Sequence, residues 1–321
     1  MIVTLTANPS LDRTITLAET LRPGEVQAAT SAREDAGGKG INVARVVAAA
    51  GVISLAVLPL SEGDPFDAAL RASTVRAERV PIHGFVRANV TITDPDGVTT
   101  KLNLPGARLD DDDTAAVIRA VVDACEGARW LVLAGSLPPG ASDRFYVEVI
   151  DAVRTRWGAE APRIAVDTSG PALAAVVADG RPDLIKPNDE ELAELAGVGL
   201  EYGVDLAAAV LPVARQLVPS RVGAALVTLG SQGAVLVEAD TAWAGTPPRI
   251  RVASTVGAGD SSLAGYLLAD LDGADAEERL RRSIRYGAAA ASLPGTQAPS
   301  PADLPDGDVP IRILTSNASP T

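Results

Sequence analysis

The chain has 321 residues, of which 47% are hydrophobic, and its formal net charge is −13 at pH 7. This length and apolar content exclude a disordered chain, and the acidic charge argues against nucleic acid as the main partner, because phosphate backbones bind basic surfaces. The chain has one cysteine, Cys125, and one histidine, His83, which exclude a disulfide framework and a multi-histidine metal site. It has no apolar run of membrane-spanning length and no signal-peptide pattern, which predicts a cytoplasmic protein without membrane contact.

Short apolar runs alternate with helical patterns along the chain. The first strand-like run is IVTLT at residues 2–6, and the first helical pattern is GINVARVVAAAG at residues 40–51. Further runs follow at LAVLPL, WLVLAG, RIAVDTSG, DLIKPN and AALVTLG. This alternation is typical of βαβ units and predicts an α/β fold, a three-layer αβα arrangement with a mostly parallel central sheet. Ligands of such folds bind at the carboxyl ends of the strands.

Two stretches follow a different pattern. Residues 11–30 and 84–106 alternate β-forming with polar residues, and the second stretch carries a turn at DPDG. They predict one small β-sheet, built from two separate pieces of chain, that projects from a main domain of residues 1–10, 31–83 and 107–321. We expect this sheet to act as a lid, or to pair with a second subunit through its free face.

The stretch AGGKGINVAR at residues 36–45 places glycines and a lysine before a helix. This is an anion-binding arrangement, because helix N-termini present free N–H groups. Gly40 stands where a Walker A motif requires Ser or Thr, so the loop is of a different kind. Only three of the 28 basic residues are lysines, and two of them, Lys39 and Lys186, lie in such motifs. Asn42, early in the helix, can hydrogen-bond a polyol.

Oxygen-bearing side chains follow two of the predicted strands. Asn188 and Glu191, in KPNDEEL, lie three residues apart and can share one helix face, where they would suit Mg²⁺ held partly through water. The alternative is that acids at this position only favour the helix start. Asp12, in NPSLDRT, can hold sugar hydroxyls, although from these residues alone a turn or cap is the simpler explanation.

Two glycine turns lie in the C-terminal third of the chain. VTLGSQGAV at residues 227–235 is either a hairpin or a close backbone approach to a nucleotide phosphate. In TVGAGDSSLAGY, the N–H groups of Gly257, Ala258 and Gly259 would point from a helix start toward an oxyanion. Asp260 beside them would accept a proton from an attacking hydroxyl, although it would also serve as a simple helix cap. Together these groups meet the needs of hydroxyl phosphorylation by ATP.

The motifs GGKGINVAR, AGSLPPG, KPNDEEL, TLGSQG and TVGAGDSSLAGY occur in this order over roughly residues 1–301. The set resembles the ribokinase-like, phosphofructokinase B-type carbohydrate kinases, and most closely their phosphosugar branch. That branch includes 1-phosphofructokinases, tagatose-6-phosphate kinases and the minor type of 6-phosphofructokinase. The resemblance implies a ribokinase-like fold with a β-sheet lid, ATP and Mg²⁺ as cofactors, and a homodimer formed through the lid.

The resemblance also implies roles for individual residues. Asp260 corresponds to the catalytic base, with Gly257, Ala258 and Gly259 as the anion hole, and Asn188 and Glu191 correspond to the magnesium motif. The nucleotide side corresponds to Lys186, Thr228, Gly230, Gly233, Gly287 and Ser292. The substrate side corresponds to Asp12, Gly38, Lys39, Asn42, Arg87, Asn89 and Ser136.

The substrate within this branch is indicated by differences in two motifs. The minor 6-phosphofructokinases tend to have a glycine run where this chain has Lys39, and basic lid residues where this chain reads GEVQAAT. The resemblance therefore favours fructose 1-phosphate, phosphorylated at O6 to fructose 1,6-bisphosphate, over tagatose 6-phosphate or fructose 6-phosphate, phosphorylated at O1. Outside this class, a non-catalytic sugar-phosphate sensor on the same fold remains open, whereas a dehydrogenase fits poorly because no glycine fingerprint follows the first strand.

Overall fold

The computed structural model describes residues 1–199 and 205–314, so the parts of the predicted main domain at 200–204 and 315–321 lie outside the described residues. The strands are β1 (Ile2–Thr6), β2 (Ser10–Leu17), β3 (Ala29–Gly37), β4 (Ser54–Pro59), β5 (Ala77–Val80), β6 (Arg87–Thr93), β7 (Thr99–Asn103), β8 (Trp130–Ala134), β9 (Arg163–Asp167), β10 (Leu184–Ile185), β11 (Ala224–Thr228), β12 (Ala234–Val237), β13 (Ala242–Gly245) and β14 (Ile311–Ile313). The α-helices are α1 (Lys39–Ala49), α2 (Pro65–Ala72), α3 (Asp111–Ala124), α4 (Phe145–Trp157), α5 (Gly170–Ala175), α6 (Asp189–Ala196), α7 (Leu206–Arg215), α8 (Ala258–Leu271) and α9 (Ala276–Ser292).

The larger sheet has the order β14-β13-β12-β11-β10-β9-β8-β1-β4-β5. All neighbours from β5 through β11 pair in parallel, and β12, β13 and β14 add an antiparallel edge. The mostly parallel sheet predicted from the sequence is therefore confirmed. The strand order reverses at β1, which lies between β8 and β4, and this is where ligands bind in open α/β sheets.

Helices cover both faces of this sheet. Val3 and Leu5 of β1 belong to the core on one face, together with side chains of α3, α4, α6 and α7. Ile2 belongs to the core on the opposite face, with side chains of α1, α8 and α9. Buried strands of a parallel sheet need apolar residues on both faces, which is why IVTLT lacks an alternating pattern. The three-layer arrangement is that of the predicted fold class.

Helix α8 is buried on nearly all sides. Eleven of its residues, Asp260 through Asp270, are buried. The helix lies against α1 and α9, and a Cβ atom at Gly265 would come within 2.6 Å of the Arg282 carbonyl oxygen of α9. A helix enclosed in this way reads as a continuous apolar run rather than an amphipathic one. Its close packing against α1 and α9 fixes the position of its N-terminus.

The smaller sheet has the order β3-β2-β6-β7 and corresponds to the predicted lid. Strand β3 continues to Gly37, so the domain boundary predicted at residue 30 falls inside a strand of this sheet. The register places Asp12, Asn89 and Asn103 opposite one another on one face, and Ile15 and Ile92 on the other. The lid therefore has a polar face and an apolar face. In the described part of the chain, no helix is long and apolar enough to cross a membrane.

Candidate active site

The site is built around the N-terminus of α8. Gly257 precedes the helix with a φ of 76°, a left-handed conformation that favours glycine. The first N–H groups of an α-helix have no acceptor within the helix. Among the described residues, the Gly259 N–H has no backbone acceptor, and the Ala258 N–H makes only a long hydrogen bond of 3.4 Å to the Thr255 carbonyl in the preceding turn. Asp260 follows in the first turn, and only 6% of its surface is exposed. A carboxylate and weakly bonded or unbonded N–H donors thus share one buried helix end.

Asp260 is held by an amide of α1. The Asn42 side chain donates from Nδ2 to Asp260 Oδ2 at 2.8 Å. Burial, reinforced by the nearby negative charge of Asp167, raises the pKa of Asp260 from 3.8 to about 6, against the opposing influence of Asn42, Lys39 and Lys186. At neutral pH the group is therefore a carboxylate that accepts a proton more readily than an ordinary aspartate does.

Asp167 is the second buried carboxylate of the site and lies at the end of β9. Its Oδ1 is 2.7 Å from Lys39 Nζ, and its Oδ2 is 3.3 Å from Lys186 Nζ. Burial alone would raise its pKa, but the charges of Lys186 and Lys39 outweigh burial and hold the pKa below its usual value. Asp167 therefore stays ionised and joins the two lysines into one cluster.

Lys186 lies directly beside the α8 N-terminus. A Cβ atom built at Gly259 would be 3.3 Å from Lys186 Nζ, so a side chain at this position would crowd the ammonium group. Lys186 itself is 5% exposed. A buried ammonium next to a helix N-terminus is an arrangement that can bind an anion. The sequence predicted Lys186 on the nucleotide side, and the structure places it next to the predicted anion hole.

The loop before α1 packs against the end of β1. Gly38 has a φ of 126°, and a Cβ atom there would lie 2.5 Å from Thr6 Cγ2. A Cβ atom at Gly40 would lie 2.5 Å from Thr6 Oγ1. Glycine at both positions lets the loop sit on the strand end. Lys39 therefore begins α1 within reach of Asp167, and Asn42 follows one turn later within reach of Asp260.

The polar face of the lid contributes the predicted sugar-binding residues. Asp12 Oδ1 accepts hydrogen bonds from Ser10 Oγ at 2.8 Å and from Asn89 Nδ2 at 2.9 Å. Burial raises the pKa of Asp12. Among the described residues, Arg87 Nε and Asn89 Oδ1 are buried without a hydrogen-bond partner. Buried polar atoms are normally paired, so these two atoms are available to a polar ligand.

A cleft of about 430 Å³ opens beside this lid face. Arg87 and Asn8 line it, together with the loop that follows β8. Ser136, at the start of this loop, accepts a hydrogen bond from Asn8 Nδ2 at 3.4 Å. The cleft is large enough for a sugar phosphate, and Arg87 is its only cation among the described lining residues.

The predicted magnesium residues form a helix cap. Asn188 Oδ1 accepts from the Glu191 N–H at 2.7 Å, and Glu191 Oε2 accepts from the Asn188 N–H at 2.9 Å. The described residues contain no cluster of three acidic, His or Cys side chains that could enclose a metal ion. The second oxygen of Glu191 is outside this cap, and one carboxylate combined with phosphates and water is a usual donor set for Mg²⁺. The residues therefore fit a nucleotide-bound Mg²⁺ but not a protein-enclosed one.

The predicted nucleotide residues fall into two groups. Thr228, at the end of β11, forms a β-bridge with Asn188 and so lies beside the lysine cluster. Gly230 and Gly233 have φ values of 56° and 100°, and a Cβ atom at Gly233 would clash with the Gly245 carbonyl. Gly287 is different, because a Cβ atom there would clash with Ser262 Oγ of α8. Its contact in the structure is thus helix packing.

Ser292 lies at the end of α9. Its Oγ donates to the Ala289 carbonyl at 2.8 Å. The neighbouring Ala291 carbonyl accepts hydrogen bonds from the N–H groups of Ala253 and Ser254, which precede α8. The end of α9 thus supports the segment leading to the anion site. The nucleotide roles of Gly287 and Ser292 remain predictions.

Known proteins share both this fold and this sequence. The sequence matches the description "pfkB family carbohydrate kinase" over residues 6–303. The chain belongs to this family. It is therefore a phosphotransferase whose acceptor is an alcohol group, as the motifs predicted.

Several relatives of this pfkB kinase cover most of its length. It is 37% identical to a 1-phosphofructokinase of Rhodobacter capsulatus over 94% of both chains, and 34% identical to a 1-phosphofructokinase of Xanthomonas campestris pv. campestris over 87% of both. It is 32% identical to the ATP-dependent 6-phosphofructokinase isozyme 2 of Escherichia coli K12, over 92% of this chain and 94% of that protein. The crystal structure of Escherichia coli phosphofructokinase-2 in complex with potassium superposes with a TM-score of 0.86 at 32% identity, covering 94% of this chain and 96% of that one.

The structure adds two residues to the site of this pfkB kinase that the motifs did not predict. Asp167 ends the strand within RIAVDTSG, and its position at a strand's carboxyl end was the available signal. Arg45 closes the stretch AGGKGINVAR and donates a hydrogen bond to Asn42 Oδ1 at 3.4 Å. The contact between Asp167 and Lys39 is not visible as a spacing pattern, because the two residues lie 128 positions apart, whereas Arg45 and Asn42 are three residues apart on one helix.

Proposed function

We propose that this pfkB-family kinase transfers the γ-phosphoryl group of ATP to O6 of fructose 1-phosphate and produces fructose 1,6-bisphosphate. The observation that carries the proposal is the buried Asp260 carboxylate at the N-terminus of α8, within the charge cluster of Lys39, Lys186 and Asp167. The choice of sugar is supported by the two curated 1-phosphofructokinases at 34–37% identity and by Lys39 in the glycine loop.

In this mechanism Asp260 accepts the proton of the sugar hydroxyl while the hydroxyl oxygen attacks the γ-phosphorus. The new O–P bond forms as the bond between the γ-phosphorus and the bridging oxygen breaks, and ADP leaves. The N–H groups of Ala258 and Gly259, together with Lys186, stabilise the charge that develops on the transferring group. Mg²⁺, when bound with ATP, would neutralise phosphate charge, and Glu191 would hold it through water.

The lid side is suited to the end of the sugar that does not react. Asp12 and Asn89 would bind sugar hydroxyls, because their polar atoms face the same side of the lid sheet. The unpaired Arg87 Nε and the adjoining cleft would receive the phosphate already on the substrate. This arrangement puts the resident phosphate and the reacting hydroxyl at opposite ends of the sugar.

The proposal is tested by measuring kcat/KM with ATP and Mg²⁺ for fructose 1-phosphate, fructose 6-phosphate, tagatose 6-phosphate and fructose. We expect fructose 1-phosphate to exceed each other sugar by at least about 100-fold, the effect of roughly 3 kcal/mol of transition-state binding. A higher value for fructose 6-phosphate or tagatose 6-phosphate would replace the substrate assignment. Binding of a phosphosugar without turnover of any would favour the sensor alternative, against which Asp260 and both glycines of the anion hole argue.

We further propose that the enzyme is a homodimer formed through the lid. The apolar face of the lid carries Ile15, Val90, Ile92 and Leu102, of which Leu102 is 53% exposed. An exposed apolar sheet face favours burial against a partner. Escherichia coli phosphofructokinase-2 has a tetrameric inhibited form.

A cytoplasmic location suits the proposed use of ATP and the free, buried Cys125.

A further inference from the structure

The guanidinium group of Arg45 lies between the lid and the start of α8. Arg45 projects from α1, and its Nη2 donates to the Ala36 carbonyl near the end of lid strand β3. Its Nη1 donates to Asn42 Oδ1 at 3.4 Å. The same Asn42 side chain donates from Nδ2 to Asp260 Oδ2 at 2.8 Å. An unbroken chain of hydrogen bonds thus runs from the lid to the buried carboxylate.

The chemistry of the three groups allows only one orientation of the Asn42 amide. Arginine carries donors and no acceptor, and an ionised aspartate carries acceptors and no donor. The Asn42 oxygen must therefore face Arg45, and its NH₂ group must face Asp260. A rotated amide would set an oxygen against the carboxylate and an NH₂ group against the guanidinium, with both contacts repulsive. Arg45 and Asp260 therefore favour the same rotamer of Asn42, and Arg45 holds it from the lid side.

We propose that Arg45 is a positioning residue that couples the lid sheet to Asp260 by fixing the Asn42 amide. The proposal rests on the proposed role of Asp260 as the base. It goes beyond that role, because Arg45 touches neither reacting group and acts entirely through Asn42.

At the lid end of this series of hydrogen bonds, Arg45 is held by negative charges as well as by the Ala36 carbonyl. The negative charges of Asp35 and Asp12 both favour the charged form of Arg45, although burial lowers its pKa overall. Asp35 lies opposite Asp12 in the register of β2 and β3. Asp12 is the residue proposed to hold the sugar. The guanidinium therefore contacts the lid at the strands that would bind the substrate, so the position of the lid and the orientation of Asn42 are linked.

The acid limb of the pH–rate profile reports this coupling. The charged groups acting on Asp260 are Asp167, Lys39 and Lys186, and a substitution at Arg45 leaves all three in place. The hydrogen bond from Asn42 favours the ionised form of Asp260, so loss of this bond raises the pKa of Asp260. The acid limb of kcat should then move to higher pH. Any titration of the sugar phosphate is common to all variants and cancels in the difference.

The experiment compares Arg45→Met and Arg45→Lys with the wild type, using the sugar that the wild type phosphorylates best. We expect the acid limb to rise by about 0.5 pH unit or more and kcat to fall about 10-fold in Arg45→Met. Arg45→Lys keeps the charge near Asp35 and Asp12 but loses the planar fork that bonds two acceptors, so it should show the same direction of shift in a stably folded protein.

Arg154→Met is the matched control. Arg154 is also a half-buried helical arginine that donates to two carbonyls, those of Gly180 and Arg181, but it lies on α4 away from the site. We expect it to lower the melting temperature without moving the acid limb. A shift of the same size in this control would identify a general effect of lost stability and overturn the assignment of Arg45.

A double-mutant cycle with Asn42→Ala tests whether Arg45 acts through Asn42. We expect Arg45→Met to change kcat less than about 2-fold when Asn42 is already alanine, because the coupled residue is gone. An unchanged acid limb in folded Arg45→Lys, or equal effects of Arg45→Met in both backgrounds, would overturn the proposal. Failure of the proposed function gives a different result from failure of this proposal. In that case the wild type itself would lack turnover or prefer another sugar. The Arg45 variants are instead compared with the wild type on the sugar that the wild type phosphorylates best.

Discussion

Asp260→Asn separates the catalytic role of this side chain from its effect on stability. The substitution keeps the shape of the side chain but removes its ability to accept a proton. General-base catalysis contributes about 100-fold to 10,000-fold to a rate, so kcat should fall by this factor, or about 3–5 kcal/mol of barrier. Binding of ATP and the phosphosugar should change little, because the Asp260 carboxylate is proposed to act on the hydroxyl proton.

Stability should change in the opposite direction. The pKa of Asp260 is raised in the folded protein from 3.8 to about 6, mainly by burial and then by the charge of Asp167. Between these two values the folded protein binds more protons than the unfolded chain, so stability falls as pH rises through this window. The shift of about two pKa units corresponds to an upper bound of about 3 kcal/mol of destabilisation at neutral pH. Asparagine removes this penalty.

The assay combines steady-state kcat at about pH 7.5 with calorimetric melting at about pH 7.5 and pH 4. We expect Asp260→Asn to melt several degrees above the wild type at the higher pH, and this gain to shrink at the lower pH, where the wild-type carboxyl is protonated. Asp272→Asn, at the opposite end of α8 and in an exposed ion pair with Arg282, is the control for the same chemical change. A kcat within about 3-fold of wild type, or a lower melting temperature at both pH values, would refute the reasoning.

Two further predictions concern Lys39 and the lid. Lys39→Gln removes one of the two partners of Asp167, so we expect a loss of about 2 kcal/mol of stability and a rise of about 10-fold in KM for the phosphosugar. The control is Arg71→Gln, because the exposed ion pair of Arg71 is worth under about 1 kcal/mol. An unchanged KM in Lys39→Gln would remove Lys39 from the substrate site. Leu102→Asp places a charge on the apolar lid face, so we expect light scattering to show monomers in place of a dimer. Ile53 is exposed outside the lid, so Ile53→Asp should leave the dimer intact. Dimers in both variants would place the interface elsewhere.

The fold was largely predictable from local patterns. The alternation of buried strands and helices predicted the parallel sheet, because apolar periodicity reports which elements are enclosed. The boundary predicted at residue 30 between the lid and the main domain falls inside β3, which continues to Gly37. The residues of β3 from 31 to 37 are mostly exposed and polar, and nothing in their composition tells that they continue a pairing with β2. Strand pairing across a long loop is a tertiary property that local patterns do not contain.

The site was predictable where backbone geometry demands glycine or a strand ends in a polar residue. Gly38, Gly257 and Gly233 have positive φ values, so glycine signals there reported real turns. Gly287 has no such strain, and its glycine instead permits close packing on Ser262 of a neighbouring helix. Sequence motifs alone do not distinguish a glycine that approaches a ligand from one that approaches another helix.

The geometry around Asp167 explains why lysine suits positions 39 and 186 in a chain whose other basic residues are nearly all arginines. Lys39 and Lys186 approach opposite oxygens of one buried carboxylate, and Lys186 also fits against Gly259 with 3.3 Å to a Cβ position. A compact ammonium fits this space, whereas a planar guanidinium with five donors requires more room and more acceptors.

The charges of this cluster then sum to zero, because Asp167 and Asp260 balance the two lysines. The net positive field at a transferring phosphoryl group would therefore come mainly from the α8 N-terminus and from the cation bound with ATP, and Lys186 would add a local donor beside them. On this balance Lys39 mainly orients and screens the carboxylates, and Lys186 does so while its ammonium group also lies beside the α8 N-terminus. Removing either lysine should accordingly disturb Asp260 as much as it disturbs phosphate binding.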